Sequence, residues 1–127
     1  MIPCVRIWTG PDGDSLFEEG RIALPHDQRG DTLSSVLGAG TISFRETRPG
    51  GAFGAHPAPT LQFVLTLSGT LEFRTASGAT FVIGPGEVLL ADDIHGSGHS
   101  WRLIDDQPWR RAYVTVGPDV IDLFTKG

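Results

Sequence analysis

The sequence has little cysteine and little positive charge: Cys4 is its single cysteine, and 10 Lys and Arg residues stand against 15 Asp and Glu. A lone cysteine excludes an internal disulfide, and nothing favours an oxidising compartment. The net charge of −5 argues against a nucleic-acid partner, because binding to a phosphate backbone requires clustered Lys and Arg. We therefore expect Cys4 to be a small packing residue.

Long apolar runs are also missing. No segment reaches the roughly 18 apolar residues of a membrane span. Residues 1–10 lack both the basic start and the long apolar stretch of a secretion signal. These absences predict a cytoplasmic location without a membrane partner.

Sustained helical periodicity is absent as well. Seventeen glycines and nine prolines are more than a helical bundle tolerates, because both residues interrupt element interiors but suit turns and barrel corners. The sequence favours an all-β fold with little helix, and residues 118–126 are its one helical candidate, since proline is accepted in a first turn.

Short β-branched and aromatic runs follow one another at intervals of about ten residues, which is typical of a sandwich or barrel. Ser68-Gly69 and Ser77-Gly78 are short enough for tight hairpins. No repeat or linker divides the chain, so we predict one domain over 1–127, with N-terminal strands and a loop in 1–39 and a barrel core in 40–116. The predicted strands are 5–8, 14–24, 41–46, 61–67, 71–76, 80–83, 87–91, 99–104 and 111–116, and 25–31 is predicted as a loop.

Side-chain alternation indicates which polar residues share a face. In an extended 97–103 segment, His99, Trp101 and Leu103 lie on one side of the strand. His95 lies on the same side if the glycine loop before His99 keeps the same alternation of side chains. By the same rule Gln62 shares a face with Val64 and Thr66, where its amide requires hydrogen-bond partners.

The order of these motifs resembles the cupin superfamily over about residues 40–116. Gly50, His56 and Gly69 match the glycines and the first histidine of the first cupin motif, whereas Ala58 replaces the second histidine and Gln62 stands at the glutamate position. In the second motif the glycine turn at Gly86, the apolar strand and His99 match, with His95 as a rival for the histidine. The resemblance implies a double-stranded β-helix, or jelly-roll, barrel with a small-molecule site inside it.

The resemblance also implies a metal site at His56, Gln62 and His99 that would hold one divalent transition metal (Fe, Mn, Ni or Zn). Gln62 is a neutral amide, which stabilises a cation less than the usual carboxylate does. His56 and His99 are expected to face each other across the barrel interior.

Three further positions are candidates for the site. Tyr113 in the last predicted strand is a potential proton donor beside His56 or His99 as base, with packing as the alternative. Trp101 is a core residue or a wall for a ligand, and Arg45 is a solvated strand end or a contact for an acidic substrate. The pair Asp92-Asp93 is interpreted as solvated turn residues. The alternatives are a carboxylate that replaces the missing glutamate and an acid-base pair with His95.

These residues leave three functions open. The first is a metal-dependent enzyme of oxygenase or isomerase type. The second is a metal-free isomerase or epimerase that uses a histidine near neutral pH. The third is a non-catalytic binding or sensor domain. Because 5–8 and 61–67 are strongly apolar, we also predict an exposed apolar strand edge or face and a homodimer.

Overall fold

The computed structural model describes residues 1–127 and consists of β-strands with one short 3₁₀ helix, Pro118–Leu123. The prediction of an all-β fold with little helix is confirmed. The thirteen strands are β1 Ile2–Thr9, β2 Ser15–Ile22, β3 His26–Gln28, β4 Asp31–Leu33, β5 Ala39–Thr47, β6 Ala52–His56, β7 Gln62–Ser68, β8 Leu71–Thr75, β9 Thr80–Ile83, β10 Val88–Asp92, β11 His99–Leu103, β12 Trp109–Val116 and β13 Phe124–Lys126.

The strands form two principal sheets. A seven-stranded sheet has the order β13-β2-β1-β10-β7-β12-β5, and a four-stranded sheet has the order β6-β11-β8-β9. Ser77-Gly78 closes the β8–β9 hairpin as predicted, since Arg74 pairs with Thr80 across it. The hairpin predicted at Ser68-Gly69 is wrong, because β7 and β8 belong to different sheets and the chain crosses from one to the other there.

The main core lies between the two sheets and follows side-chain alternation. On β7 the buried residues are Gln62, Val64 and Thr66, as alternation predicted. Phe73 from β8 and Trp109 from β12 join the same interior. Both sheets therefore direct large apolar side chains into one shared space, which is where a ligand site can form.

A second, smaller core covers part of the outer face of the seven-stranded sheet. It comprises Cys4, Val88, Leu90 and Val120, so the 3₁₀ helix closes over this side. Cys4 is 2% exposed and is a packing residue as expected. Helix does not continue over all of 118–126, because 124–126 form β13, which pairs with β2.

The N-terminal segment contributes the middle of the large sheet. β1 pairs antiparallel with β2 on one side and parallel with β10 on the other. Residues 5–8 therefore present no free edge. The predicted exposed apolar face is found elsewhere, since Leu67 of the 61–67 run is 59% exposed on β7. The loop predicted at 25–31 instead contains β3 and the first residue of β4, which pair with each other. No helix in the structure has the length and apolar character needed to cross a membrane.

Candidate functional site

A cavity of about 290 Å³ opens between the two sheets. Its lining combines aromatic walls with a few polar groups, which is the usual character of a small-molecule site. The aromatic lining consists of Phe53, Phe73, Trp101, Trp109 and Tyr113, and the polar lining of Arg45, His56, Gln62 and His99.

His99, the first residue of β11, is held by a buried carboxylate. Its Nδ1 lies 2.6 Å from Asp93 Oδ2, which also accepts a hydrogen bond of 2.8 Å from Ser15 Oγ. Asp93 is fully buried at 0% exposure, and its Oδ1 has no hydrogen-bond partner. An ionised carboxylate only accepts, so Nδ1 carries the hydrogen in this bond and Nε2 is left for a ligand in the cavity.

His56 ends β6, a strand in which three of the five residues are Ala or Gly and which the sequence patterns did not predict. Its Nδ1 donates to the Gly54 carbonyl over 2.9 Å, which again leaves Nε2 for the cavity. His56 and His99 are register partners on neighbouring strands, with ring centroids 5.2 Å apart. The expectation that they face each other across the barrel is therefore wrong, because both lie side by side on the four-stranded sheet.

Gly98 allows β11 to start this close to β6. Its φ is +68°, and a Cβ there would collide with the carbonyl of His56. Only glycine adopts this conformation readily and also leaves room for the neighbouring backbone. The glycine before His99 thus decides how near the two imidazoles come.

The remaining candidate residues all border the cavity. Gln62 is 7% exposed and lines it from β7, and half-buried Trp101 lines it from β11. Tyr113 lines it from β12, and its hydroxyl accepts a hydrogen bond of 3.1 Å from Arg111 Nε. Arg45, on β5, lies over the Tyr113 ring with its guanidinium carbon 5.1 Å from the ring centroid.

Two expectations about the loop before β11 are wrong. Asp92 and Asp93 are not solvated turn residues: Asp92 forms an ion pair of 3.2 Å with Arg6, and Asp93 holds His99 rather than His95. His95 does not share the wall, because Gly96 and Gly98 have positive φ and break the extended phase, leaving His95 exposed. Asp93 is the site residue whose role the sequence analysis assigned wrongly: the alternative of a pair with a histidine is the one that forms, but the histidine is His99.

The cupin resemblance implies a divalent metal, and the side chains around the cavity show whether they could hold one. No three His, Cys, Asp or Glu side chains come together as a group that could hold a metal ion. His56 and His99 offer two imidazoles and Gln62 an amide, while the carboxylate of Asp93 is already bonded to the far side of His99. Catalytic metal sites generally use three strong protein ligands, so this set does not fit one, and metal binding stays a prediction.

Comparison with known proteins identifies the family. No curated protein matches the sequence significantly. The cupin domain of Schizosaccharomyces pombe Cnp3 is 15% identical, with 95% of this chain and 86% of that chain covered and a TM-score of 0.53. A cupin 2 conserved barrel domain protein from Salinispora arenicola is 21% identical, covering 64% of this chain and 66% of that chain, with a TM-score of 0.49.

A conserved protein with a double-stranded β-helix domain from Klebsiella pneumoniae is 18% identical, covering 70% of this chain and 79% of that chain, with a TM-score of 0.48. Residues 39–127 match the family model of the AraC-like ligand binding domain. The resemblance to cupins and the barrel of cupin type are confirmed. Since the family model covers more than half of the sequence, the chain belongs to the AraC-like ligand binding domain family.

Proposed function

We propose that this domain binds one small organic molecule inside the barrel, with His99 as its fixed polar contact. The observation that carries the proposal is the cavity of about 290 Å³, walled by aromatic rings and reached by a histidine that Asp93 orients. This volume is at the lower end of those of ligand pockets, so the ligand is compact. The chain belongs to a family of ligand binding domains, which supports the same function.

The cavity lining offers both apolar and polar contacts to such a ligand. Trp101 and Trp109 meet edge to face with ring centroids 4.6 Å apart, and both border the cavity, so they offer a large apolar contact. His99 Nε2 accepts one hydrogen bond at a defined position, because its ring cannot turn without breaking the bond to Asp93. A held side chain loses little conformational freedom when a ligand binds, which favours affinity.

Acid-base catalysis on the bound molecule is the second candidate. It is favoured by the 2.6 Å bond between His99 and Asp93, since a carboxylate that orients one imidazole nitrogen prepares the other to move a proton. Tyr113, whose hydroxyl accepts from Arg111, is the second group able to exchange a proton with a substrate. A metal-free isomerase or epimerase needs two such groups and no metal ligand.

One experiment separates binding from turnover. A library of small metabolites is screened against the untagged protein by tryptophan fluorescence and thermal shift, and every hit is followed by NMR for chemical change and by elemental analysis of the protein for metal. Binding without product supports the proposed function, and product formed in metal-free protein supports acid-base catalysis instead. Near-stoichiometric metal would overturn both metal-free interpretations.

Matched variants locate the binding site. His99→Gln should weaken binding of every hit by about tenfold or more, because the ligand loses its hydrogen bond to the imidazole that Asp93 orients. Arg102→Gln is the control, since Arg102 lies on the same strand but is exposed and pairs with Glu72. Equal effects of the two substitutions would place the ligand outside the barrel.

A further inference from the structure

Arg111 is a buried cation without an anionic partner. It is 3% exposed and forms no ion pair, whereas its outward-facing neighbour Arg110 lies 2.7 Å from Glu46. The guanidinium of Arg111 lies 3.7 Å from the centroid of the Trp109 ring. Nε donates to Tyr113, and Nη1 donates to Thr47 Oγ1 and to the Trp109 carbonyl. Its neutral partners hold the guanidinium in place but leave its charge uncompensated.

A second guanidinium stands next to it. Arg45 is the register partner of Arg111 across β5 and β12, so both side chains project from the same face of the sheet. Burial lowers the pKa of Arg111, and the like charge of Arg45 adds to this effect. Arg111 lies behind the cavity lining, whereas Arg45 borders the cavity and is exposed. A negative charge beside Arg45 would therefore offset the repulsion between the two guanidinium groups.

The cavity contains no acid to supply that charge. The lining includes no Asp or Glu, although the chain as a whole carries a net charge of −5. The buried carboxylate nearest to the lining belongs to Asp93, which is engaged by His99 and Ser15. Arg45, the one guanidinium in the lining, forms no ion pair and is therefore left for an anionic ligand.

We propose that the ligand is a compact organic acid whose carboxylate is bound beside Arg45 and Tyr113, with Arg111 behind them; this inference rests on the proposed function. The Tyr113 hydroxyl accepts from Arg111, so its own hydrogen is free to be donated to a carboxylate oxygen. Arg45 supplies a charge-assisted contact from the cavity wall, and the apolar part of the acid lies against the tryptophans.

The test compares an acid with its neutral isostere. Phenylacetate and phenylacetamide are titrated into the untagged protein, with binding followed by tryptophan fluorescence and calorimetry at low and high salt. The acid should bind at least about tenfold more tightly than the amide, and added salt should reduce the difference. Equal affinities would overturn the inference while leaving a small-molecule pocket in place, and binding of neither probe would count against the proposed function as well.

Three variants locate the anion contact. Arg45→Met should remove the preference for the acid, whereas Arg110→Met, which removes a charge from the opposite face of the sheet, should preserve it. Arg111→Lys keeps the charge but not the planar hydrogen-bonding fork, and should weaken binding of the acid more than that of the amide. A preference that survives Arg45→Met, or is lost equally in Arg110→Met, would overturn the assignment.

Discussion

Asp93 Oδ2 lies 2.6 Å from His99 Nδ1, and this bond fixes the one histidine that is both buried and in contact with the cavity. Asp93 also joins two other parts of the chain, because its side chain accepts from Ser15 and its carbonyl accepts from the Ala58 amide over 2.9 Å. The pair is therefore a structural junction as well as a site element.

Replacing His99 with Ala should destabilise the fold by about 3–5 kcal/mol, because it leaves the carboxylate of Asp93 buried with only the Ser15 hydroxyl as a side-chain partner. His56→Ala is the matched change, and we expect about 1 kcal/mol or less, since His56 is half-buried and bonded only to a nearby carbonyl. Denaturant unfolding followed by circular dichroism measures both.

The double variant Asp93→Ala/His99→Ala checks the cause. Removing both partners should restore part of the stability lost in His99→Ala, since no unpaired charge remains. Equal losses in His56→Ala and His99→Ala, or no recovery in the double variant, would show that the buried pair does not carry this stability.

Gly86→Val should lower the free energy of unfolding by about 1–3 kcal/mol through backbone strain. Gly86 has a φ of +80°, and a Cβ added to it would meet no atom within 4 Å, so the cost comes from the conformation and not from crowding. Gly38→Val is the control, because a Cβ added to Gly38 also meets no atom within 4 Å, but Gly38 lacks a positive φ. A thermal midpoint that is the same in both variants would show that the turn is not strained.

The homodimer remains a prediction, and an exposed apolar patch on the seven-stranded sheet is the surface through which two copies could pair. Phe44 and Ile42 on β5 and Leu67 on β7 are 71%, 62% and 59% exposed and lie on the outer side of the seven-stranded sheet, where β5 is the edge strand. Such a patch is costly in a lone molecule and favours pairing with a second copy.

Phe44→Asp should therefore convert a dimer to a monomer in light scattering at tens of micromolar. Val82→Asp is the control, since Val82 is an exposed apolar residue of the four-stranded sheet. A wild-type monomer at this concentration, or dissociation by Val82→Asp alone, would contradict the prediction.

The Cys4 thiol should be unreactive in the folded protein. Burial raises the pKa of Cys4 from 9.0 to about 12. At pH 8 about one thiol in ten thousand is then ionised, and the thiolate is the reactive form. Titration with a coloured thiol reagent should be at least about a hundredfold slower in buffer than in denaturant, whereas a Ser77→Cys thiol in an exposed turn should react at once.

The same pKa sets the sign of a pH effect on stability. The folded state retains the thiol proton up to a higher pH than the unfolded state, so the stabilisation from this group is complete below about pH 9 and is lost as the pH rises towards 12. Cys4→Ser should show less of this loss at alkaline pH. Rapid labelling of the native protein would contradict the burial of Cys4.

Local patterns predicted most strands of the barrel because alternation and turn residues act over a few neighbours. The burial of Gln62, Val64 and Thr66 on one face of β7 follows from extended geometry alone. β6 escaped prediction, since a strand rich in small residues has little propensity of its own and is stabilised by pairing with β11. The apparent hairpin at Ser68-Gly69 failed for the opposite reason, because a turn signal does not state which sheet the next strand joins.

For the site, the sequence by itself determined the residue types: histidines in two motifs, Gln62 on an inward face, Trp101 in phase with His99, and an arginine at 45. Only the tertiary structure decided their partners. It buried Asp93 against His99, left His95 in solvent, set His56 beside His99, and placed Arg45 next to Arg111 across two strands distant in sequence. Alternation along a strand is fixed by local geometry, whereas pairing between strands and the charge balance of a cavity depend on long-range packing, which no short motif encodes.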